Sequence, residues 1–266
     1  MWVLQRAREF DQNAGMPLPT VFERLSALGA DFRSNQVALI AAAPGIGKSI
    51  LALTYAVWAG VPAIYFSADS DATTQYARAA AMITGDQLSA VNEALKRKNV
   101  AKYDIALNRA RHIRFVLDSA PSLDDVNRHV MAYGWAYGQW PKLIIIDNVS
   151  NIFSESEGFQ GLEEVMDWLH QLSRKTGAGI IGLHHVTGEY ESGDTIVPLS
   201  GLRGKISKLP TLILTLNRVY GDNQALNVAV VKNRAGIAAA NGSFGVQLRT
   251  DLSRMWIETR TAQSVA

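Results

Sequence analysis

Val37-Ala-Leu-Ile-Ala-Ala-Ala-Pro-Gly-Ile-Gly-Lys-Ser-Ile-Leu-Ala52 is the stretch on which the reading of this chain turns. Val37 to Ala43 is an unbroken apolar run and predicts a buried strand. Pro44, Gly45 and Gly47 interrupt it, and an apolar helical pattern follows from Ile50 to Trp58. Strand, glycine-bearing loop, Gly-Lys-Ser and helix make up a phosphate-binding loop. Backbone N–H groups must point at the phosphates there, and side chains would block the approach. Gly45 and Gly47 remove that bulk and permit unusual backbone angles. Lys48 is expected to set a point charge near the β- and γ-phosphates of a bound triphosphate, and Ser49 to offer its hydroxyl to Mg²⁺. The helix N-terminus adds partial positive charge. The nucleotide-binding set is therefore Ala43, Pro44, Gly45, Ile46, Gly47, Lys48, Ser49 and Ile50. The common motif opens with Gly where this chain has Ala42.

Composition sets the outer limits. A chain of 266 residues suits one large α/β domain. The absence of cysteine excludes disulfides and Cys-based metal sites, and agrees with a cytoplasmic location. Met1 to Phe10 has no signal-peptide core. Ile50 to Phe66 is the longest nearly apolar run, but Gly60 and Pro62 divide it into helix and strand, which argues against a membrane span. A net charge of +2 is too small to indicate nucleic acid by itself, so any such contact must come from local clustering.

Residues 2–13 carry Trp2, Leu4, Ala7 and Phe10 at partly helical spacing before Gly15, Pro17 and Pro19 break the pattern. Residues 1–16 read as an arm that packs on a neighbouring subunit, the alternative being a frayed terminus. Residues 17–266 read as one nucleotide-binding α/β domain. Thr20 to Leu28 predicts a helix capped by Thr20. Pro62 to Ser67 predicts a second strand, delivering Asp69 to the strand end where ligands bind in open α/β sheets. Asp69 is a candidate base for activating water, or a helix cap; Asp71 fits the cap of a helix over Thr73 to Ile83. Gly85 to His112 reads as helical and charge-rich, with its cations on a solvated face. Ile113 to Leu117 predicts a third strand, and Ser122-Leu-Asp-Asp a capping box opening a helix to about Tyr133. Gly134 to Pro141 reads as a packed surface turn.

Lys142-Leu-Ile-Ile-Ile-Asp147, four aliphatic residues and then an acid, predicts a central strand that carries Asp147 to the phosphate site to hold Mg²⁺ through water. Asn148 to Gly161 reads as a mobile loop, and Leu162 to Lys175 as a core-facing helix. Ala178 to Leu183 predicts a fifth strand ending in His184-His185. Strand neighbours point to opposite faces, so a γ-phosphate contact by one histidine fits better than a metal site. Thr187 to Ser207 is a long polar, glycine-rich segment. Arg203, Lys205 and Lys208 at its end fit a contact to a nucleic-acid backbone. Thr211 to Arg218 and Ala225 to Val231 read as paired strands, with a terminal hairpin over Phe244 to Leu248 and Met255 to Glu258.

From about Pro17 onward the chain resembles the RecA-like ATPase domain of the DnaB replicative helicases. Ala41-Ala-Ala-Pro-Gly-Ile-Gly-Lys-Ser49 looks like that family's phosphate loop, in which Ala often replaces the first Gly. The resemblance implies a RecA-like P-loop fold: a mostly parallel central sheet flanked by helices, with C-terminal antiparallel strands. It implies ATP with Mg²⁺, single-stranded or forked DNA as partner, and a homo-oligomeric, hexameric ring. Asp69 matches the family's catalytic glutamate but is one methylene shorter, and Asp147 matches its magnesium aspartate. His185 stands where the family has a γ-phosphate-sensing glutamine. Lys232 and Arg234 match a piston lysine and an arginine finger that act in the neighbouring subunit's site. The family's large N-terminal domain is not seen in this sequence, which suits a phage or plasmid accessory protein. Two alternatives remain open. One is a structure-specific nuclease using Asp69, Asp71, Asp118 and Asp147 in a two-metal site. The other is an ATP-gated scaffold that does not act on DNA.

Overall fold

The inner strands of the parallel core are buried on both faces, and this is why they read as apolar runs rather than an alternation, whereas the edge strand over Ile113–Val116 exposes Arg114. The computed structural model describes residues 15–154, 158–204, 206–219 and 221–260. The strands are β1 (Val37–Ala42), β2 (Ala63–Ser67), β3 (Ile113–Val116), β4 (Leu143–Asp147), β5 (Gly179–His185), β6 (Leu212–Val219), β7 (Asp222–Asn233), β8 (Gly245–Asp251) and β9 (Trp256–Ile257). They form one sheet in the order β3-β2-β4-β5-β1-β6-β7-β8-β9. The strands from β3 to β6 in that order run parallel, and β6, β7, β8 and β9 pair antiparallel. The fold is thus a mostly parallel α/β sheet with antiparallel strands at its C-terminal side, as the sequence led us to expect.

Helices cover the sheet: α1 (Glu23–Ala27), α2 (Lys48–Ala59), α3 (Ala72–Thr84), α4 (Leu88–Lys96), α5 (Ala101–Leu107), α6 (Leu123–Tyr137) and α7 (Gly158–Thr176). The main core spans the sheet and includes Leu39, Ile40, Ile144, Ile145, Leu51 and Leu169, all essentially inaccessible to water. A smaller cluster of Ala77, Ala80, Ala81, Val91 and Tyr103 joins α3, α4 and α5. Three alanines on one face of α3 let its neighbours approach closely.

Several boundaries differ from the sequence reading. Thr20 is not a helix cap: α1 starts at Glu23 after Phe22, without a side-chain cap, and the Thr20 hydroxyl instead meets that of Ser26. Residues 85–112 are helical as expected, divided into α4, α5 and a 3₁₀ turn at Asn108–Ala110. α6 continues to Tyr137, so the first half of the expected 134–141 turn is helical and Gly138, with φ +65°, ends it. The expected caps do form: Asp71 accepts from Thr74 N–H, and Ser122 with Asp125 closes a capping box. The expected arm falls, over residues 1–14, outside the described residues. The chain is already attached at Gly15, whose N–H donates to Ser34 O, and Pro17 bridges to Arg33.

Candidate nucleotide site

The C-terminal ends of β2, β4, β5 and β1 lie side by side, and four sequence-selected side chains meet there. Register pairs Ser67 with Asp147 and Ala42 with His185, so Asp69, Asp147, His185 and the 43–49 loop share one edge of the sheet. Gly47 has φ +127°, a backbone angle that an L side chain would oppose, and it is the residue immediately before α2. Lys48 is buried and folds back, donating from Nζ to the carbonyls of Ala42 at 2.8 Å and Ala43 at 3.0 Å. Burial lowers its pKa to about 8, against the opposing pull of Asp147 and Asp69.

Asp147 is buried at the end of β4. Burial raises its pKa, while hydrogen bonds from Ser49 and Tyr65 work to hold it ionised. Tyr65 O–H donates to Asp147 Oδ2 at 2.9 Å. The Asp147–Asn148 peptide is cis. Asp69 is exposed, and Asn148 Nδ2 and Asn151 Nδ2 donate to its two oxygens, the second at 3.1 Å. Burial, then repulsion from Lys48, lowers the pKa of His185. The two histidines do part: His185 is half-buried at the site, while His184 is fully buried and its Nε2 meets Arg203 O at 2.6 Å.

The phosphate loop forms one wall of a cleft of about 430 Å³, a volume within the range of small-ligand sites. Gly45, Lys48 and Ser49 face Thr74 and Arg78 of α3, with Leu88, Leu252 and Met255 giving an apolar end. Cavities of about 490 Å³ beside β3 and α6 and about 520 Å³ beside Phe153 are as large but have no phosphate-loop residue on their walls. Chemistry, not size, selects the cleft. A buried ammonium, a glycine-bearing loop at a helix N-terminus and a neighbouring hydroxyl–carboxylate pair fit a polyanion accompanied by a hard divalent cation. Among the described residues no three His, Cys, Asp or Glu side chains gather as a metal cluster. Asp71 is occupied as a cap, and Asp118 accepts from Ala120 N–H beyond β3.

Lys232 and Arg234 are not at this edge. Lys232 lies opposite Ile213 and Asn233 opposite Leu212, and Leu212 pairs with Ala38 at the far end of β1. Strand rise and spacing put them roughly 15 Å from the phosphate loop. There Lys232 Nζ donates to the carbonyls of Ser207 at 2.5 Å and Lys208 at 2.8 Å, and Arg234 also donates to Lys208 O. Arg203 and Lys208 are exposed, and Lys208 pairs loosely with Glu163 at 3.7 Å. Lys205 lies outside the described residues.

Sequence reasoning missed Tyr65, Asn148, Asn151 and Arg218. Arg218, at the end of β6, donates to Gly45 O at 3.2 Å, and its N–H binds Gly193 O at 2.8 Å. The available signals were polar groups at the ends of apolar strands: a tyrosine within Ala-Ile-Tyr-Phe-Ser, and Asn-x-x-Asn directly after Asp147.

Residues 17–249 match the family model described as the DnaB-like helicase C-terminal domain. The chain belongs to this family. It is 42% identical over 237 residues to the Gene 65 protein of Mycobacterium phage L5, covering 86% of this chain and 88% of that one. To the Gene 65 protein of Mycobacterium phage D29 it is 41% identical over 212 residues, covering 77% of this chain and 91% of the relative. Among solved structures, the chain superposes on an ATPase domain of matching length with a TM-score of 0.79 at 14% identity, covering 97% of this chain and 96% of that one. It superposes on a DnaB-like replicative helicase, described with its interactions with primase, with a TM-score of 0.80 at 16% identity. In that case 96% of this chain is covered, but the chain spans only 64% of the helicase's length. These likenesses fix the fold as that of a RecA-like DnaB ATPase domain, and family membership makes the chain a helicase-type ATPase domain.

Proposed function

We propose that the chain is the motor of an ATP-driven, ring-forming machine that acts on single-stranded or forked DNA. The observation that carries this reading is the split of the charged groups: Lys48, Asp69 and Asp147 share one sheet edge, while Lys232 and Arg234 stand at the opposite end. Cations that cannot reach their own phosphate loop are suited to completing a neighbour's. A head-to-tail contact of that kind generates a ring when its rotation closes.

In this reading Lys48 leaves the Ala42 and Ala43 carbonyls to meet the phosphates. Ser49 and Asp147 hold Mg²⁺, which supplies neutralising charge beside the β- and γ-phosphates. Asp69 accepts the proton of the attacking water, and half-buried His185, kept neutral by its surroundings, hydrogen-bonds the terminal phosphate. Lys232 and Arg234 of the next subunit offset charge in the transition state, a contribution of roughly 10³-fold or more where such fingers act. Arg203, Lys205 and Lys208 contact the DNA backbone, and the 1–16 arm packs on a neighbouring subunit. The link from site to DNA segment is short: Arg203 N–H donates to His185 O, and Val186 bridges to Leu202. A shift of His185 is thereby felt at Arg203.

The test is ATP hydrolysis with and without single-stranded DNA, alongside light-scattering mass with nucleotide. Stimulated turnover by an oligomer is expected, and Lys48→Ala should abolish it. ATPase activity that ignores DNA would favour the scaffold alternative, and full activity in Lys48→Ala would remove the site assignment.

A further inference from the structure

Asp69 sits on a turn at the end of β2 and is exposed, so nothing in its own packing fixes its carboxylate. The fixing comes from another strand. Ala68 N–H extends the β2–β4 ladder by donating to Asp147 O at 2.8 Å, which brings the turn beside Asn148. Asn148 Nδ2 donates to Asp69 Oδ2 and Asn151 Nδ2 to Oδ1. A carboxylate can only accept, so both amides must present nitrogen to it. One donor per oxygen fixes both torsions of a two-torsion side chain, and each oxygen keeps a second lone pair for water.

The two amides stand on rigid ground. Asn148 is buried, and Val149, fully buried, packs so tightly on Gly182 that a Cβ there would lie 2.6 Å from Val149 Cγ2. Ile152 is also buried, so Asn151 is held between two core anchors. The other flank of the Asp69 turn is pinned as well: Gln75 Nε2 donates to Ser67 Oγ at 2.9 Å, and Ser67 Oγ to Ser70 O at 3.2 Å.

We infer that Asn148 and Asn151 are positioning residues that hold the Asp69 carboxylate in its working orientation beside the phosphate loop. This rests on the proposed role of Asp69 in ATP hydrolysis. Outer partners that orient metal ligands in the same indirect way typically contribute about 10–100-fold, and a loss on that order is expected here.

The experiment uses the full chain with Asn151→Ala and Asn151→Asp, measuring kcat, KM and the affinity for a fluorescent ATP analogue. Asn151→Ala should lower kcat by about 10–100-fold and leave analogue affinity and melting temperature close to wild type. Asn151→Asp keeps the shape but sets a second carboxylate against Asp69, so it should fall further than Asn151→Ala. A merely structural role predicts the reverse order, with the isosteric variant better tolerated. The inference is overturned by wild-type kcat in Asn151→Ala, by an Asp variant as active as wild type, or by equal losses in kcat and affinity. Wild-type protein that binds ATP without hydrolysing it would remove both this inference and the proposed function. Wild-type turnover with indifferent Asn151 variants would remove this inference alone.

Discussion

Tyr65→Phe deletes a single oxygen from the fully buried middle of β2 and keeps the ring, so its effect isolates one hydrogen bond. That oxygen donates to Asp147 Oδ2 at 2.9 Å and lies 3.5 Å from Ser49 O. A hydrogen bond to a charged group contributes about 1.5–3 kcal/mol, and one that leaves a buried carboxylate short of a donor lies toward the upper part of that range. Melting should fall by roughly 5 °C, from a sensitivity of about 2–4 °C per kcal/mol in domains of nearly this size. The second consequence concerns the metal. Burial already raises the pKa of Asp147, and Tyr65 is, with Ser49 and the Lys48 charge, one of three groups holding it ionised. Without it the proton competes better, and the Mg²⁺ midpoint for binding a fluorescent ATP analogue should rise about tenfold or more, as when other outer partners of metal ligands are removed. Binding measured in EDTA should change much less. A melting temperature within 1 °C of wild type together with an unchanged Mg²⁺ midpoint would refute the view that Tyr65 holds Asp147 in its working state.

Two further outcomes follow from the segment behind the site. Burial lowers the pKa of His184 to about 4, from 6.5 in the unfolded chain. Between those values the unfolded chain binds the extra proton, so stability is full above 6.5 and declines as pH falls toward 4, by up to about 3 kcal/mol. Urea unfolding across that window should show the slope, and His184→Gln should flatten it; an unchanged slope in the variant would mean that other groups are responsible. Gly193 has φ +78°, and a Cβ there would stand 2.2 Å from Ile46 Cδ1 of the phosphate loop. Gly193→Ala should cost about 2–4 kcal/mol, from positive φ plus overpacking, and weaken ATP binding through the displaced loop; wild-type stability and affinity would show that the contact is slack.

The apolar run from Leu143 to Asp147 made β4 readable, because burial on both faces leaves no polar position inside that strand. Asp71 and Ser122 were readable as caps because capping is local in sequence. Thr20 misled for the same reason: the residue type was right, but the chain around it is committed to the Pro17–Arg33 bridge and the helix starts later. The order of the strands is a tertiary fact, and β1 between β5 and β6 has no signature in any short window. Asn148 and Asn151 stayed hidden because their partner, Asp69, lies 79 and 82 residues away. Asn-x-x-Asn after a strand reads locally as a turn. The resemblance that selected Lys232 and Arg234 could not say where they sit; only the β6–β7 register separates them from the phosphate loop of their own chain.

The claim on which the account depends is that each ATP site is completed by cations from a second copy of the chain, and subunit mixing tests it most directly. Arg234→Ala chains keep their own Lys48, and Lys48→Ala chains keep Arg234, so neither alone should hydrolyse ATP. Random assembly of an equal mixture makes about a quarter of the interfaces wild-type on both sides, and ATPase activity should return to a corresponding fraction. No recovery at any mixing ratio, or full activity from a strictly monomeric wild-type chain, would contradict it.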